Sequence, residues 1–337
     1  MKARTAERLR LVALAVAISI GVGTAFAARS DSAPPSLLLG ALIGALSGAA
    51  LSSFELFVQD RASLRHVPLL AALAMRTLAY GAVIVAATLV SPAILRGLGV
   101  GLSANAAAPT GVSLAMSFVA ALVINFYFTL RGLLGARTMR ALMIGRYRQP
   151  REEQRIVLFL DLKDSTRIAE RLGNLAFHGF LDRVFSDLTD PILESGGEIY
   201  GYVGDEVIVT WPFERGARAG ACLHCVIAID RLLAAHAEDF RRQYGVAPRV
   251  RGALHAGPLV VGEMGDAKRA IVLLGDTMNT AARIEEACRT TGRDYLASGA
   301  LGAALAAPPA GVRVSALGPT ALRGKAETVE LFALAPA

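Results

Sequence analysis

Two patterns of hydrophobic and polar positions divide the chain near residue 150. Before it lie four long uncharged apolar stretches, 11–28, 32–54, 77–95 and 111–130. Each approaches the roughly 20 residues that an α-helix needs to cross a bilayer. After it, short apolar runs alternate with amphipathic segments. Runs rich in Val, Ile, Phe, Thr or Trp predict strands at 155–160, on both sides of Gly204-Asp205, and at 249–255, 258–264, 270–274, 294–297, 312–317 and 329–333. Helical spacing predicts helices over 166–172, 175–193, 217–240 and 277–288. Ala256-Gly257 reads as a turn joining a strand pair, and Asp164 or Ser165 as the N-cap of the 166–172 helix. The expected organisation is a membrane domain of four transmembrane helices at 1–135, a helical linker at 136–154 and a mixed α+β domain at 155–334. Pro150 is expected to stop the linker helix.

Charge sharpens the first half. Residues 1–150 carry 14 Lys/Arg and 4 Asp/Glu, a net of +10, while 151–337 carry 21 and 24, a net of −3. The overall +7 is therefore a property of the first half, which argues against a nucleic-acid partner for the whole protein. Lys2, Arg4, Arg8 and Arg10 precede the first stretch. Arg61 and Arg65 lie between the second and third, and Arg131, Arg137, Arg140, Arg146 and Arg148 follow the fourth. The other two connections hold only Arg29 and Arg96. By the positive-inside rule both ends are cytoplasmic, as expected for a multi-pass protein of the inner (plasma) membrane. Residues 2–28 also resemble a secretory signal peptide, a reading disfavoured because a second span follows almost at once. Arg76 is expected to snorkel from the end of the third stretch. Gly40, Ala41, Gly44, Ala45, Gly48, Ala49 and Ala50 recur three or four apart, a helix-packing face suited to bundling or dimerising.

The three cysteines are expected to be buried small hydrophobes. Cys222 and Cys225 have the spacing of a metal or redox pair, but no second pair completes a ligand set.

The candidate chemistry lies in the second half. Asp161 ends an apolar run, and Gly204-Asp205 lifts a second carboxylate to a strand edge, so the two can share hard metal ions. In Asp161-Leu162-Lys163-Asp164-Ser165-Thr166 the first carboxylate leads into a helix N-terminus, whose N–H groups can hold phosphate oxygens. Asn279 and Arg283 share a helix face. Arg323-Gly324-Lys325 adds two cations. Carboxylates, an Asn–Arg pair and a cationic clamp together make a set for phosphoryl transfer.

Phe159-Leu160-Asp161-Leu162, Val203-Gly204-Asp205-Glu206, the run Leu274–Arg283 and Leu322-Arg323-Gly324-Lys325 together resemble the catalytic domain of class III adenylate/guanylate cyclases, over about 155–334. The resemblance implies a ferredoxin-like βαββαβ core and a head-to-tail homodimer with active sites at the interface. It implies two Mg²⁺ or Mn²⁺ ions per site, at Asp161, Leu162 and Asp205. Asn279 and Arg283 become the transition-state pair. Lys163, Asp164, Ser165 and Thr166, with Arg323 or Lys325, become substrate-binding positions. Gly201 and Val272 stand where the family places its purine-selecting pair, and neither has the polar side chain used there. Tyr200, Tyr202, Lys268 and Arg269 are nearby substitutes, although strand alternation puts both tyrosines on the face opposite Gly201. The expected function is conversion of ATP, with GTP not excluded, to the cyclic nucleotide. A silent membrane receptor with a nucleotide-binding cyclase-like domain is the alternative. A cyclic-dinucleotide synthase is disfavoured because Val203 and Val207 break that family's signature.

Overall fold

The computed structural model describes residues 2–30, 33–57, 68–102, 111–267, 269–303 and 309–337. Arg61, Arg65 and Lys268 lie outside the described residues. The chain divides into two compact units, Met1–Arg140 and Ala141–Ala337.

The N-terminal unit is helical: α1 (Lys2–Ser30), α2 (Pro34–Phe57), α3 (Leu69–Gly97) and α4 (Gly111–Leu134), followed by α5 (Ala136–Met143), which runs across the division at Arg140. Three of these contain stretches long and apolar enough to cross a membrane, Val12–Arg29, Pro34–Phe54 and Leu70–Gly97. Helix α4 has 24 residues and carries the shorter apolar segment Ala121–Leu130. The small-residue face of α2 packs on α1 of the same chain. A Cβ added at Gly40 would fall on the carbonyl oxygen of Gly23, and one at Gly44 on that of Ser19. The two backbones are therefore in direct contact, which only small residues permit. Helices α3 and α4 are joined differently. The buried Asn125 amide donates to the Leu73 carbonyl at 2.8 Å and to Thr77 Oγ1 at 2.9 Å. The expected continuous linker helix breaks at Gly135, where φ is +81°, and α5 ends at Met143, before Pro150 is reached.

The C-terminal unit contains β1 (Arg151–Leu162), α6 (Ser165–Leu172), α7 (Asn174–Glu194), β2 (Glu198–Val203), β3 (Glu206–Pro212), α8 (Ala221–Ala235), α9 (Ala237–Tyr244), β4 (Val250–Met264), β5 (Ala270–Leu274), α10 (Asp276–Thr291), β6 (Tyr295–Ser298), β7 (Val312–Thr320) and β8 (Val329–Pro336). The sheet order is β2-β3-β1-β4-β6-β8-β7, with β5 paired to β4. Its first four strands, with α6–α7 and α8–α9 as crossovers, form the expected ferredoxin-like βαββαβ core.

Strand alternation assigns the two faces. Ile156, Leu158, Leu160 and Leu162 point into a core with Phe180, Val184 and Leu188 of α7 and Val226 and Ile229 of α8. Val157 and Phe159 point the other way, with Ile208, Leu259, Leu273 and Ala281 of α10. Asp161 belongs to this odd-numbered series. Cys222, Cys225 and Cys288 are buried, and burial pushes each thiol up to about 12, so all three behave as apolar packing.

Three expected elements differ. The strand pair at 249–264 is one continuous strand, which pairs with β1 from Arg151↔Val261 to Leu162↔Val250. Gly257 makes room for Thr277 of α10, whose hydroxyl donates to the Pro258 carbonyl at 2.8 Å, and makes no turn. The helix expected over 217–240 is broken at Gly220, where φ is +67°, and again at His236. Strand β1 starts at Arg151 rather than 155.

Strand β1 is also tied to the segment before it. The buried Arg155 guanidinium donates to Tyr147 Oη at 3.2 Å, to Glu153 Oε2 at 2.8 Å and to Thr210 Oγ1 at 3.1 Å. It also pairs with Glu198 at 3.5 Å.

Candidate active site

Asp161 stands at the last turn of the β1 ladder, opposite Glu206 on β3 and Arg251 on β4. Asp205 occupies the tight turn before β3, where Gly204 takes φ +64°. The two carboxylates are close enough to influence one another. Burial pushes the Asp161 carboxyl above its usual range, and the charge of Asp205 adds to this against the opposing pull of Arg251. Glu206 is pushed up to about 7 by burial and by the charges of Glu285, Asp161 and Asp205. Four acidic side chains thus crowd one end of the sheet, an arrangement that favours a cation.

Two guanidiniums answer this demand within the same chain. Arg251 donates to Asp161 Oδ2 from Nη2 at 2.7 Å and from Nε at 2.9 Å, and Nε also reaches Glu285 Oε1 at 2.9 Å. Arg289 donates to the same Asp161 oxygen at 3.1 Å. Arg251, Glu285, Arg289 and Glu206 were not singled out from the sequence. Only the i,i+4 spacing of Glu285 and Arg289 was locally visible. The Asp161–Arg251 pair needs the β1–β4 register.

The other expected residues fall in three places. Asn279 and Arg283 are exposed on α10, and Arg283 pairs with Glu286 at 3.1 Å. At 3.6 residues per turn, Arg283 and Glu285 point roughly 200° apart. Helix α10 therefore turns Glu285 and Arg289 toward its own Asp161 and presents Asn279 and Arg283 away from it. The Lys325 amine is held by Asp276 at the start of α10, while Arg323 is exposed.

Lys163 is held by Asp294, and Asp164 pairs with Arg167 at 3.0 Å. Both line a half-open cavity of about 960 Å³ with Arg171, Arg241 and Arg249, and Asp161 does not line it. Asp164 is the N-cap position but makes no side-chain capping bond, and its φ is +60°. Ser165 and Thr166 open α6, where main-chain N–H groups lack intrahelical partners.

Gly201 pairs with Ile208, and Val272 pairs with Gly262. No atom lies within 4 Å of a Cβ built on Gly201. A register shift between Ile199 and Gly201 breaks the alternation expected of the tyrosines. The Tyr200 hydroxyl accepts from the Leu273 N–H at 3.3 Å, beside Val272 and on the side where Leu273 and Ile208 pack together. Tyr202 stacks on Phe185 of α7 at 4.8 Å, on the other side. Tyr200 is thus on the side of Gly201, not opposite it. Arg269 is exposed.

Comparison with known proteins identifies the fold and the family. Residues 147–335 match the family described as the adenylate and guanylate cyclase catalytic domain. The chain belongs to this family. It is similar to Adenylate cyclase 2 of Rhizobium meliloti (strain 1021), 41% identical over 211 residues that cover 63% of this chain and 58% of that protein. It is similar to Guanylate cyclase D of Mus musculus, 32% identical over 181 residues, 51% of this chain and 15% of that protein. The chain thus spans little more than half of the first relative and a small part of the second. Among solved structures, a bacterial light-regulated adenylyl cyclase shares the fold, with a TM-score of 0.57 and 20% identity over 67% of this chain and 66% of that chain.

The donor set fits a hard divalent cation. Among the described residues no three His, Cys, Asp or Glu side chains converge as a metal cage. Mg²⁺, however, is commonly held by one or two carboxylates with substrate phosphates supplying the rest. Asp161 and Asp205 offer two carboxylates of that kind.

Proposed function

We propose that this protein is a membrane-anchored nucleotidyl cyclase that converts ATP to 3′,5′-cyclic AMP and pyrophosphate, at sites shared between two copies of the chain. The observation that carries the reading is the division of α10 into two faces. One copy offers Asp161 and Asp205, and the other offers Asn279 and Arg283, which turn away from their own carboxylates. In the reaction the ribose 3′-oxygen bonds to the α-phosphorus, the bond to the β-phosphate oxygen breaks, and the hydroxyl proton is lost.

Asp161 and Asp205, with the main chain of Leu162, would hold the divalent ions. Bound there, such ions supply Lewis-acid chemistry: a lowered pKa for the 3′-hydroxyl and countercharge for the triphosphate. Asn279 orients the ribose, and Arg283 meets the charge that grows on the reacting phosphate. The N–H groups of Ser165 and Thr166 suit phosphate oxygens. Arg323 is the freer of the two C-terminal cations, whereas Lys325 must first leave Asp276. The three long apolar helices and the arginine asymmetry support a membrane anchor with a cytoplasmic catalytic domain, and the 24-residue α4 is the candidate for a fourth span.

Complementation tests the shared site. Asp205→Ala and Arg283→Ala chains are each expected to lack turnover of ATP with Mg²⁺ or Mn²⁺. Their equal mixture should regain at most about a quarter of wild-type activity, because half of the dimers are mixed and each has one intact site. A self-contained site would leave one lesion in every copy, and no activity would return. The lack of a polar side chain at Gly201 and Val272 favours a second reading, a nucleotide-binding receptor without turnover. Mass spectrometry of the products of ATP and GTP separates the two.

A further inference from the structure

Two arginines share one oxygen of Asp161, and they differ in how firmly they are held. Arg251 is part of strand β4, its side chain 17% exposed, and it makes three short contacts to two carboxylates. Its place is fixed by the β1–β4 ladder. Arg289 is in the last turn of α10, three residues before Gly292 ends the helix, and its side chain is 57% exposed. It makes one contact to Asp161 and a looser one, 3.8 Å, to Glu285. The Asp161 side chain is 8% exposed, so the direction from which Arg289 enters is also a way in from solvent.

A dication and a guanidinium compete for a buried carboxylate oxygen by charge and by space. We propose that Arg289 is a gate on the metal site. Its guanidinium occupies Asp161 Oδ2 in the ion-free protein, and it must swing out to solvent when a divalent cation binds. Arg251 stays in place and keeps the carboxylate oriented. The arrangement balances the buried charge of Asp161 between turnovers and weakens binding of free metal. A triphosphate arriving with the ion adds negative charge and gives the displaced guanidinium a new partner. The inference rests on the reading of Asp161 as a metal ligand.

The test is direct Mn²⁺ binding to the full chain in detergent micelles, without nucleotide, followed by the electron paramagnetic resonance signal of the free ion. Four proteins are compared: wild type, Arg289→Gln, Asp161→Asn and Arg241→Gln, the last removing an exposed arginine elsewhere on the unit. Arg289→Gln is expected to bind Mn²⁺ about two- to fivefold more tightly, the scale of a part-exposed charge pair. Arg241→Gln should match wild type, and Asp161→Asn should lose the site. A merely structural Arg289 would shift thermal stability without tightening the ion, and unchanged or weaker binding in Arg289→Gln overturns the gate. If Arg241→Gln tightens binding equally, the effect is one of net charge and the gate is again overturned. Retention of the site in Asp161→Asn overturns both the gate and the metal-ligand reading. Absence of uptake by every variant, Arg289→Gln included, also overturns the gate.

Discussion

Asn125 in the N-terminal unit and Arg155 in the C-terminal unit are both buried polar side chains that reach from one element to another. Asn125 spends its two N–H donors on a main-chain carbonyl and a threonine hydroxyl of α3. Among the described residues its carbonyl oxygen meets no hydrogen-bond partner, and neither does the nearly buried hydroxyl of Tyr80. Arg155 instead gathers a phenol, a hydroxyl and two carboxylates. The same contrast runs through both units. In the first, Ser47, Thr77, Thr88 and Ser91 return their hydroxyls to carbonyls one turn back, and the closest packing is backbone on backbone at glycines. In the second, charges are buried together, at Arg155 and again at Asp161. A unit suited to lipid avoids charge and gains by close approach. A unit that handles phosphate keeps charges inside and needs each one answered.

The largest effect is expected where a buried charge loses its answer. Arg155→Met takes the buried guanidinium away from Tyr147, Thr210, Glu153 and Glu198 at once, with Arg146 still paired to Glu153, at a cost of about 3–5 kcal/mol. Trp211 is the only tryptophan, buried on β3, so its fluorescence reports unfolding of the C-terminal unit alone. The melting temperature read from it should fall by roughly 6–20 °C. Arg155→Lys should recover little, because a point charge cannot serve so many partners at once. A loss under about 1 kcal/mol would mean that the network is surface-like after all.

Backbone approach gives the next largest effect. Gly44→Val puts a branched side chain on the Ser19 carbonyl, so α1 and α2 must part. The expected cost is about 3 kcal/mol, the upper end of ordinary overpacking. Gly201→Ala is the matched control, since its Cβ meets nothing within 4 Å. It should leave both melting transitions within about 0.5 kcal/mol of wild type. Asn125→Leu should cost only about 0.6 kcal/mol, the average for a hydrogen bond between membrane helices. If Asn125→Leu proves as damaging as Arg155→Met, the contrast between the units fails.

The contrast also explains what the sequence made legible. Long uncharged stretches and the split of arginines were plain, because a bilayer imposes both over 20 residues at a time. The continuous apolar run 156–160 put Asp161 near the end of β1, and the Gly204-Asp205 turn was visible from its residues alone. Gly257 misled, because a glycine that opens space for a helix looks the same as one that bends a strand. The bulge at Tyr200 was invisible, because nothing in Ile199-Tyr200-Gly201 demands an extra residue, and it moved the hydroxyl to the other face. Arg251 and Arg289 were missed because their partner lies 90 and 128 residues away. No local pattern reports a charge pair that only the sheet order creates.

The smallest expected effect is one of pH, and it too should separate the units. His255 on β4 is half-buried, its Nδ1 2.7 Å from the Ser298 hydroxyl. Burial, helped by the charge of Lys325, lowers its pKa from 6.5 to about 4. Between those values the unfolded chain binds a proton that the folded chain refuses. Stability from this group is therefore full above pH 6.5 and is lost as pH falls through that window. Glu206, raised to about 7, acts in the opposite sense: it favours the folded state at low pH and loses that contribution as pH rises from 4.5 toward 7. The absolute melting curve mixes the two, so the informative quantity is a difference. His255→Gln keeps a polar partner for Ser298 and removes the titration. Its melting temperature, read from Trp211 and taken relative to wild type, should climb steadily as pH is lowered from 7 to 4.5. The difference for Asn125→Leu, read from the circular dichroism melt of the helical N-terminal unit, should stay flat, because arginines do not titrate there and Asn125 carries no ionisable group. A flat His255→Gln difference would show that the histidine is wetter than the fold makes it. A sloping Asn125→Leu difference would show that the pH response is not confined to the unit with buried charges.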